Sequence, residues 1–457
     1  MKRRDFLAQS SLMGVGVGMG VAGSPFLLSS CDGANSAVRN RQTYTPAELG
    51  MYSFVDEAPD GRPLKAALVG CGDRGTGAAV QFLSAGPNVS INALVDVLPD
   101  RMQTCREQLK ERANNEVPDS NCFFGFDAYT KVLEMDDIDV VLLCTPTYFR
   151  PEQFKAAVDA GKHIFMEKPC GVDPVGMRTV IAAARVAQTK GLTVITGNQR
   201  RHRLDYWEAY MHVRNGMIGD VISGTCHWNQ GAWWNRRKRP EWSDMEYNLR
   251  NWFNIKWLSG DHLLDQAIHN IDIATWFMGM RPVNAVGYGG RAQRLTGDIF
   301  DFFSVDYLYE NNKRMMATAR QIDGCDRNVS EQILGSTGVM MLNDRGNIHC
   351  LDYDGNEVWR YDYEAQPVKN PYFQEHIHLV ESIRLDKKIN QAEDLAYSTL
   401  IAILGREAAY TGQAITWEEI MSSDLNYGPD KYEMGALPDY HEGVAPRPGR
   451  APDAAVL

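Results

Sequence analysis

A glycine-rich turn between an apolar segment and a helical one constrains the fold of this chain most strongly. The turn has the sequence Gly70-Cys71-Gly72-Asp73-Arg74-Gly75 and follows the apolar residues 64–69. A buried strand that leads through such a turn into a helix is typical of the first βαβ unit of a doubly wound sheet. Because the three glycines have no side chains, a phosphate can approach the backbone and the helix N-terminus. The turn therefore predicts a dinucleotide site, and a glycine turn without any ligand is the alternative.

The pattern that follows the turn predicts an α/β fold with two domains. Strand-like and helical segments alternate from residue 63 to residue 197, as in an N-terminal Rossmann domain with a doubly wound sheet. Residues 198–422 contain alternating strand patterns and one long helical segment, about residues 370–385, which favour an α/β domain with a large open, mostly antiparallel sheet. Residues 32–62 are interpreted as an arm or spacer and residues 423–457 as an extended tail.

Asp96 indicates which dinucleotide the turn binds. It ends the second predicted strand, 21 residues after Gly75. A carboxylate at this position can accept hydrogen bonds from both ribose hydroxyls and would repel a 2′-phosphate. NAD is therefore favoured over NADP, although Arg101 nearby is compatible with NADP.

The N-terminus is predicted to be an export signal rather than part of the fold. Lys2-Arg3-Arg4 is a twin-arginine pattern, and a weakly apolar run leads to a segment before Cys31 that resembles a bacterial lipobox. Residues 1–31 therefore predict export by the twin-arginine pathway to the periplasm, with a lipid anchor on Cys31. An ordinary export signal and an unprocessed anchor are the alternatives. An exported enzyme would need a tightly held NAD that is regenerated in every turnover, because NAD is not replenished outside the cytoplasm.

Charge and cysteine content exclude several classes of function. The net charge of −11 argues against nucleic acid as a partner and against a broad anionic-membrane contact. The 9 cysteines are scattered and contain no C-x-x-C pair, so neither a disulfide framework nor a cysteine zinc site is expected.

Lys168 and a His/Asp-rich segment are the candidate chemical groups. Lys168 follows a predicted strand, at the sheet edge where α/β proteins bind ligands, and can polarise a hydroxyl or carbonyl. His262, Asp265, His269 and Asp272 fall on one face if the segment is a single helix. His269 is the natural proton-transfer group, with Asp265 orienting it or binding a substrate hydroxyl. A structural polar network and a zinc site are the alternatives, and no metal is our prediction.

A cluster of tryptophan and arginine residues predicts where a carbohydrate binds. Aromatic faces suit the C–H faces of sugar rings, and arginines bind hydroxyls or carboxylates. The segment just after the last Rossmann strand is also expected to face the cleft. The predicted substrate contacts are Arg200, Arg201, His202, Trp233, Trp234, Arg250 and His262. Some of the tryptophans are expected to fill the core instead.

Taken together, these motifs resemble the Gfo/Idh/MocA oxidoreductase family. The resemblance rests on the glycine turn, on Thr145-Pro146, on Glu167-Lys168-Pro169, and on the spacing of Asp265 and His269. It implies that Lys168, Asp265 and His269 occupy catalytic positions and that the open sheet forms a homo-oligomer, a dimer or tetramer. The predicted NAD contacts are Gly70, Gly72, Asp73, Arg74, Gly75, Asp96, Thr145, Pro146, Glu167 and Lys168. The family often has a histidine shortly after Thr-Pro, where this chain has Tyr148, Phe149 and Arg150.

Three functions are compatible with these patterns. The leading hypothesis is an NAD-dependent oxidoreductase that acts on a hydroxyl of a sugar or sugar derivative. The second is a redox-neutral glycoside hydrolase, in which oxidation, elimination and reduction follow one another on the same cofactor. The third is a non-catalytic sugar-binding lipoprotein on a retired dehydrogenase fold.

Overall fold

A computed structural model describes residues 43–429, 431–437 and 444–449. From Thr43 onward the chain forms one compact unit. The predicted export signal, including Cys31, lies outside the described residues, as does part of the predicted tail. No helix in the described part of the chain has the length and apolar character that a membrane span requires.

The first sheet has six strands in the order β3-β2-β1-β4-β5-β6, and all neighbours are parallel. Its strands are β1 (Leu64–Val69), β2 (Val89–Asp96), β3 (Cys122–Phe124), β4 (Val140–Leu143), β5 (His163–Met166) and β6 (Val194–Thr196). The strand order reverses between β1 and β4, so the ligand crevice of this sheet is expected at the carboxyl ends of these two strands.

Five helices connect these strands and cover the sheet. They are α1 (Asp73–Leu83), α2 (Pro99–Ala113), α3 (Tyr129–Leu133), α4 (Arg150–Asp159) and α5 (Pro174–Lys190). Local sequence explains the limits of α5: the Asp173 side chain accepts the N–H of Gly176 at its start, and Gly191 adopts the left-handed conformation at its end. Strands β1 and β4 are almost wholly buried because helices cover both faces.

The second sheet has nine strands in the order β14-β13-β12-β11-β7-β10-β9-β8-β15. Its strands are β7 (Val221–Gln230), β8 (Pro282–Gly290), β9 (Phe302–Tyr309), β10 (Arg314–Gln321), β11 (Asn328–Gly335), β12 (Gly338–Asn343), β13 (His349–Asp352), β14 (Glu357–Arg360) and β15 (Ile415–Thr416). Only the β7–β10 pair is parallel. The predicted fold class is therefore confirmed.

Helices lie on one face of the second sheet and leave the other open. The remaining helices are α6 (Leu204–Arg214), α7 (Asp244–Arg250), α8 (Lys256–Ser259), α9 (His262–Asp265), α10 (Ile268–Met278), α11 (Pro371–Arg384), α12 (Ala392–Thr411) and α13 (Trp417–Ser422). Buried and half-buried residues alternate along β9 and β11, as expected for a sheet with one covered face. Val286, Tyr288 and Met316 are exposed.

Two details differ from the sequence prediction. Helix α12 was not predicted because it is buried on nearly all sides, so its sequence lacks an amphipathic period. The segment from His262 to Asp272 is not one helix, since α9 ends at Asp265 and α10 begins at Ile268. At the junction the His269 N–H donates to the Gln266 carbonyl at 3.3 Å, an i to i−3 bond. This pattern leaves the Asp265 carbonyl without its usual helical donor.

Candidate active site

The glycine turn has the geometry of a phosphate-binding turn. A Cβ on Gly70 would lie 2.7 Å from the Cys144 carbonyl carbon, and one on Gly75 would overlap the Gly70 carbonyl oxygen. Both glycines are thus needed for backbone packing. A Cβ on Gly72 would instead meet only open space, and no side chain caps the start of α1. The free helix N-terminus and the open space beside Gly72 fit a pyrophosphate.

Asp96 lies at the end of β2 beside this turn. Its carboxylate accepts the N–H groups of Cys71 at 2.6 Å and Leu98 at 2.8 Å. Burial raises the pKa of Asp96, and these backbone bonds oppose the shift. Arg101 forms an ion pair with Asp73 at 3.0 Å. The cation that could have favoured NADP therefore already has a carboxylate partner, and the arrangement fits NAD.

Arg74 and Glu167, two predicted cofactor contacts, bind each other. The Arg74 guanidinium donates to Glu167 at 2.5 Å and to Glu375 on α11 at 2.7 Å. Glu167 also accepts the backbone N–H of Lys168 at 3.2 Å. These side chains therefore hold the turn, α11 and the start of the Lys168 loop together. Their predicted contact with NAD stays a prediction, and the ion pair adds a positioning role.

Arg150 holds the loops after β4 and β5. Its buried guanidinium donates to the carbonyl of Thr145 at 2.7 and 2.9 Å, to that of Glu167 at 3.2 Å and to that of Pro169 at 2.5 Å. The Thr145 hydroxyl donates to Gln153 at 2.7 Å, and Pro146 follows it at the strand end. Sequence reasoning noted Arg150 only as a departure from the family, because its acceptors are backbone carbonyls.

Lys168 and Asp265 meet at the junction between α9 and α10. The Lys168 ammonium donates to the Asp265 carbonyl that the helix break leaves free, and it lies 3.9 Å from the Asp265 carboxylate. The carboxylate also accepts the side-chain amide of Gln266 at 2.8 Å. Both residues are largely buried. The helix break thus serves to bring the Lys168 side chain against the start of α10.

His269 is the second residue of α10, one helical turn after Asp265 in the chain. Its ring centroid is 5.5 Å from that of Trp228, and none of the described residues hydrogen-bonds to the imidazole. Burial, followed by the positive charges of Lys168 and Arg200, lowers the pKa of His269 well below its usual value. The imidazole is therefore neutral at pH 7 and can accept a proton. We refer to Lys168, Asp265 and His269 as the Lys-Asp-His cluster.

Three of the residues predicted to bind substrate, Arg200, Arg201 and His202, have polar partners within the protein. Arg200 pairs with buried Glu331. Arg201 pairs with Asp272 at 2.8 Å. His202 lies 2.7 Å from His378, ring nitrogen to ring nitrogen. The prediction rested on their position just after β6, but these side chains turn into the core, where buried charges require partners.

The remaining predicted substrate contacts also lie away from the Lys-Asp-His cluster. They are His262, Arg250, Trp233 and Trp234. His262 is fully buried at the start of α9, with its Nδ1 2.9 Å from the Asp261 carboxylate. Arg250 bonds to Asp100 on α2 at 2.8 Å. Trp233 and Trp234 are exposed at 39% and 37% and pack on Phe253. They stay candidates for a sugar surface, whereas Trp228, which had no assigned role, lies closest to His269.

The described residues show no metal site. Within residues 43–429, 431–437 and 444–449, no three His, Cys, Asp or Glu side chains are grouped so that they could hold a metal ion. The carboxyl edge of the parallel sheet instead combines a phosphate-type turn with a lysine and a neutral histidine. A fold and an edge of this kind define an NAD-dependent oxidoreductase.

Comparisons with known proteins give the family. Residues 64–196 match the model described as "Oxidoreductase family, NAD-binding Rossmann fold", and residues 206–341 match the "GFO/IDH/MocA C-terminal domain". Together the two models cover more than half of the chain. The chain therefore belongs to the Gfo/Idh/MocA family of oxidoreductases and carries its NAD-binding domain.

Individual relatives are distant. A "Glycosyl hydrolase family 109 protein" of Streptomyces coelicolor is 26% identical over 35% of this chain and 33% of its own length. An "Inositol 2-dehydrogenase" of Rhizobium meliloti is 26% identical over 45% of this chain and 57% of its own length. The structure of scyllo-inositol dehydrogenase from Lactobacillus casei with NAD(H) and scyllo-inositol matches with a TM-score of 0.58 and 21% identity, over 78% of this chain and 99% of that chain.

 The chain spans about a third of the length of the Streptomyces coelicolor relative and somewhat over half of the length of the Rhizobium meliloti relative.

Proposed function

We propose that this protein is an NAD-dependent oxidoreductase that oxidises a hydroxyl of a sugar or sugar derivative and keeps its NAD bound between turnovers. The observation that carries the proposal is the Lys-Asp-His cluster, which lies at the same sheet edge as the glycine turn. A lysine, a carboxylate and a neutral imidazole can together bind a hydroxyl and take its proton.

The residues of the first domain fit the cofactor. The turn from Gly70 to Gly75 would hold the pyrophosphate, and Asp96 would accept a ribose hydroxyl. When bound, NAD supplies a hydride acceptor for the carbon that carries the substrate hydroxyl. Arg74, Glu167 and Arg150 keep the turn and the Lys168 loop in place, as the hydrogen bonds described above show.

The cluster accounts for the proton. His269 is neutral and accepts the proton of the substrate hydroxyl as the C–H hydride leaves, so that a carbonyl forms. The Lys168 ammonium stabilises the negative charge that develops on the oxygen. The Asp265 carboxylate, 3.9 Å away, orients that ammonium. In the reverse direction, a carbonyl compound bound in the same site would take the hydride back, and the same groups would return the proton, which regenerates NAD.

A redox-neutral glycoside hydrolase is the second candidate, and the relative from Streptomyces coelicolor favours it. Oxidation at C3 of the sugar would acidify the C2 proton, the leaving group would be eliminated, and the hydride would return to the sugar. This cycle needs no external electron acceptor. Membership of an oxidoreductase family speaks against the third hypothesis, a non-catalytic sugar-binding lipoprotein.

One assay separates the candidates. The purified protein, with no added acceptor, is mixed with inositols, aldoses and aryl glycosides, while reduced-nicotinamide absorbance and phenol release are followed. A simple dehydrogenase reduces at most its bound NAD and releases no phenol. Continued phenol release without net reduction supports the hydrolase. In a variant with Lys168, Asp265 and His269 all replaced by alanine, we expect the activity found in the wild type to be lost, whether it is nicotinamide reduction or phenol release. An unchanged rate in this variant would contradict both candidates.

The site of action and the assembly are also proposals. The twin-arginine pattern supports export to the periplasm, with Cys31 as a lipidated residue. The open face of the second sheet, where Val286 and Tyr288 are exposed, supports a homo-oligomer. The mass of the mature protein and its sedimentation would test the two statements separately.

A further inference from the structure

The segment after α13 runs across the carboxyl edge of the parallel sheet. We call residues 423–429 and 431–437 the C-terminal segment. It begins where the Arg178 side chain donates to the Ser423 carbonyl at 2.7 Å. It is then held by Tyr427, whose hydroxyl donates to Glu407 at 2.9 Å and whose N–H donates to Asp173 at 3.3 Å. The segment is therefore fixed at the start of α5, on the β5 side of the sheet.

The middle of the segment packs on the loops that follow β4 and β3. The Tyr148 hydroxyl donates to the Asn426 side chain at 3.2 Å and lies 2.8 Å from the Tyr432 hydroxyl. The Tyr432 ring lies 5.7 Å from Phe149 and 6.3 Å from Phe126, between ring centroids. Tyr148 and Phe149 follow β4, and Phe126 follows β3. Tyr432 thus links the two sides of the point at which the strand order reverses.

The far end joins a helix that contacts the β2 side. The Gly435 carbonyl accepts the N–H of Met245 at 3.0 Å, and the N–H of Leu437 donates to Asp244 at 3.1 Å. Both partners lie in α7, whose last residue, Arg250, binds Asp100 of α2. The C-terminal segment and α7 therefore connect the loops that follow β2, β3 and β4.

We propose that the C-terminal segment forms the outer wall of the cofactor groove and sets the rate at which NAD enters and leaves. The proposal rests on the proposed function only in taking NAD as the ligand. Dinucleotides bind outside the carboxyl ends of the strands at the reversal between β1 and β4, and the segment crosses that edge. Its central contacts are one hydroxyl pair and several ring contacts, and Tyr432 is 41% exposed, so the wall can open locally.

A wall has a kinetic signature that a direct contact lacks. If NAD can pass only when the segment opens, weakening the segment accelerates association and dissociation by similar factors and changes the Kd little. If Tyr432 instead contacts NAD directly, its loss accelerates dissociation alone and raises the Kd. The two rate constants therefore decide between these roles.

The test compares four proteins: the wild type, Tyr432→Ala, a chain that ends at Ser423, and Asp424→Asn. Asp424 lies in the same segment, but its side chain is fully exposed and makes only a 3.4 Å ion pair with Arg178, so it is the matched control. Each protein is loaded with NAD and transferred to an excess of isotopically labelled NAD. Native mass spectrometry follows exchange, stopped-flow tryptophan fluorescence follows association, and thermal melting confirms folding.

We expect Tyr432→Ala to accelerate exchange about tenfold and the truncated chain to accelerate it more, with association faster by a similar factor and Asp424→Asn within about twofold of the wild type. Equal exchange rates in all four proteins would overturn the proposal. Faster dissociation with unchanged association in Tyr432→Ala would overturn it as well, in favour of a direct contact. The test uses no sugar, so its outcome does not depend on whether the proposed substrate class is correct. If the truncated chain does not fold, the Tyr432→Ala variant alone still decides the question.

Discussion

The Lys-Asp-His cluster and the neighbouring arginine pairs contain the same kinds of buried side chain, but their polar atoms are used differently. Arg201 makes two hydrogen bonds to Asp272, and Ser398 donates to the same carboxylate. His269, in contrast, has a ring contact but no hydrogen bond to its imidazole from the described residues. The arginine pairs are saturated within the protein, whereas the cluster contains one imidazole, that of His269, which is free to bind a ligand.

This difference separates stability from chemistry. A polar group that no protein group satisfies is available to a ligand, and such groups cluster at functional sites. A saturated ion pair needs no ligand, and removing one partner leaves a buried charge exposed to the apolar interior. Substitutions in the cluster should therefore reduce turnover, whereas substitutions in the arginine pairs should reduce stability.

The largest expected effect is that of His269→Gln, which removes the proton acceptor. We expect kcat to fall about a thousandfold, within the range for loss of a general base, with little change in NAD content or melting temperature. His212→Gln is the control, since His212 packs on Trp359 away from the cluster. A kcat within a few-fold of the wild type in His269→Gln would assign the proton to another group.

Lys168 and Lys162 offer a comparison between two lysines that both donate to backbone carbonyls. Lys162 donates to Met135 at 2.8 Å and to Ile138 at 2.9 Å, on the opposite side of the first domain from the cluster. We expect Lys168→Met to lower kcat about a hundredfold with a small change in unfolding free energy. Lys162→Met should lower the unfolding free energy by about 1–3 kcal/mol and leave turnover of the folded protein unchanged. Steady-state kinetics and urea unfolding of both variants check these expectations. If Lys162→Met lowered kcat as much as Lys168→Met, the expected difference between the two lysines would be contradicted.

Asp265 and Asp272 provide the same contrast for two carboxylates. Asp265→Asn should lower kcat about tenfold, because the Lys168 ammonium loses the charge that orients it. Asp272→Asn should lower the unfolding free energy by about 2–3 kcal/mol, less than a complete loss of pairing, because Arg201 keeps Asp394 at 3.3 Å. Chemical unfolding and steady-state kinetics measure both. If Asp265→Asn mainly lowered stability and Asp272→Asn mainly lowered kcat, the assignment of chemistry to the cluster and of stability to the arginine pairs would be wrong.

The smallest expected effect is on the pH dependence of oxidation. Burial and nearby cations lower the pKa of His269, so the base stays deprotonated and the rate declines only well below pH 6.5. Removing the Lys168 charge removes one cause of this lowering and raises the pKa. The acid limb of kcat/KM in Lys168→Met should therefore move to higher pH, by about one pH unit or less. An acid limb that moves to lower pH would contradict the assignment.

Sequence reasoning could predict what depends on local pattern. The glycine turn, Asp96 and the parallel strands follow from short motifs and from the rule that parallel strands end at one edge. The grouping of Lys168 with Asp265 and His269 is implied by the resemblance to the Gfo/Idh/MocA family. Helix α12 could not be predicted in this way, because burial on all sides removes the period on which such predictions depend.

Sequence reasoning failed where partners are distant in the chain. Arg200 and Glu331 are 131 positions apart, and His202 and His378 are 176 apart. From residue type alone these side chains resemble ligand-binding groups, because nothing nearby satisfies them. The helix break before His269 was missed for a similar reason, since the donor to the Asp265 carbonyl is Lys168, 97 positions earlier.

The most direct test of the account is a single-turnover measurement on NAD-loaded protein. Wild type and His269→Gln are loaded to equal NAD content and mixed with an excess of the sugar or polyol that reacts best in the substrate panel, without an added acceptor. The account predicts reduction of up to one equivalent of bound nicotinamide in the wild type and about a thousandfold slower reduction in the variant. Equal rates in both proteins would contradict the claim that the unsaturated cluster carries the chemistry.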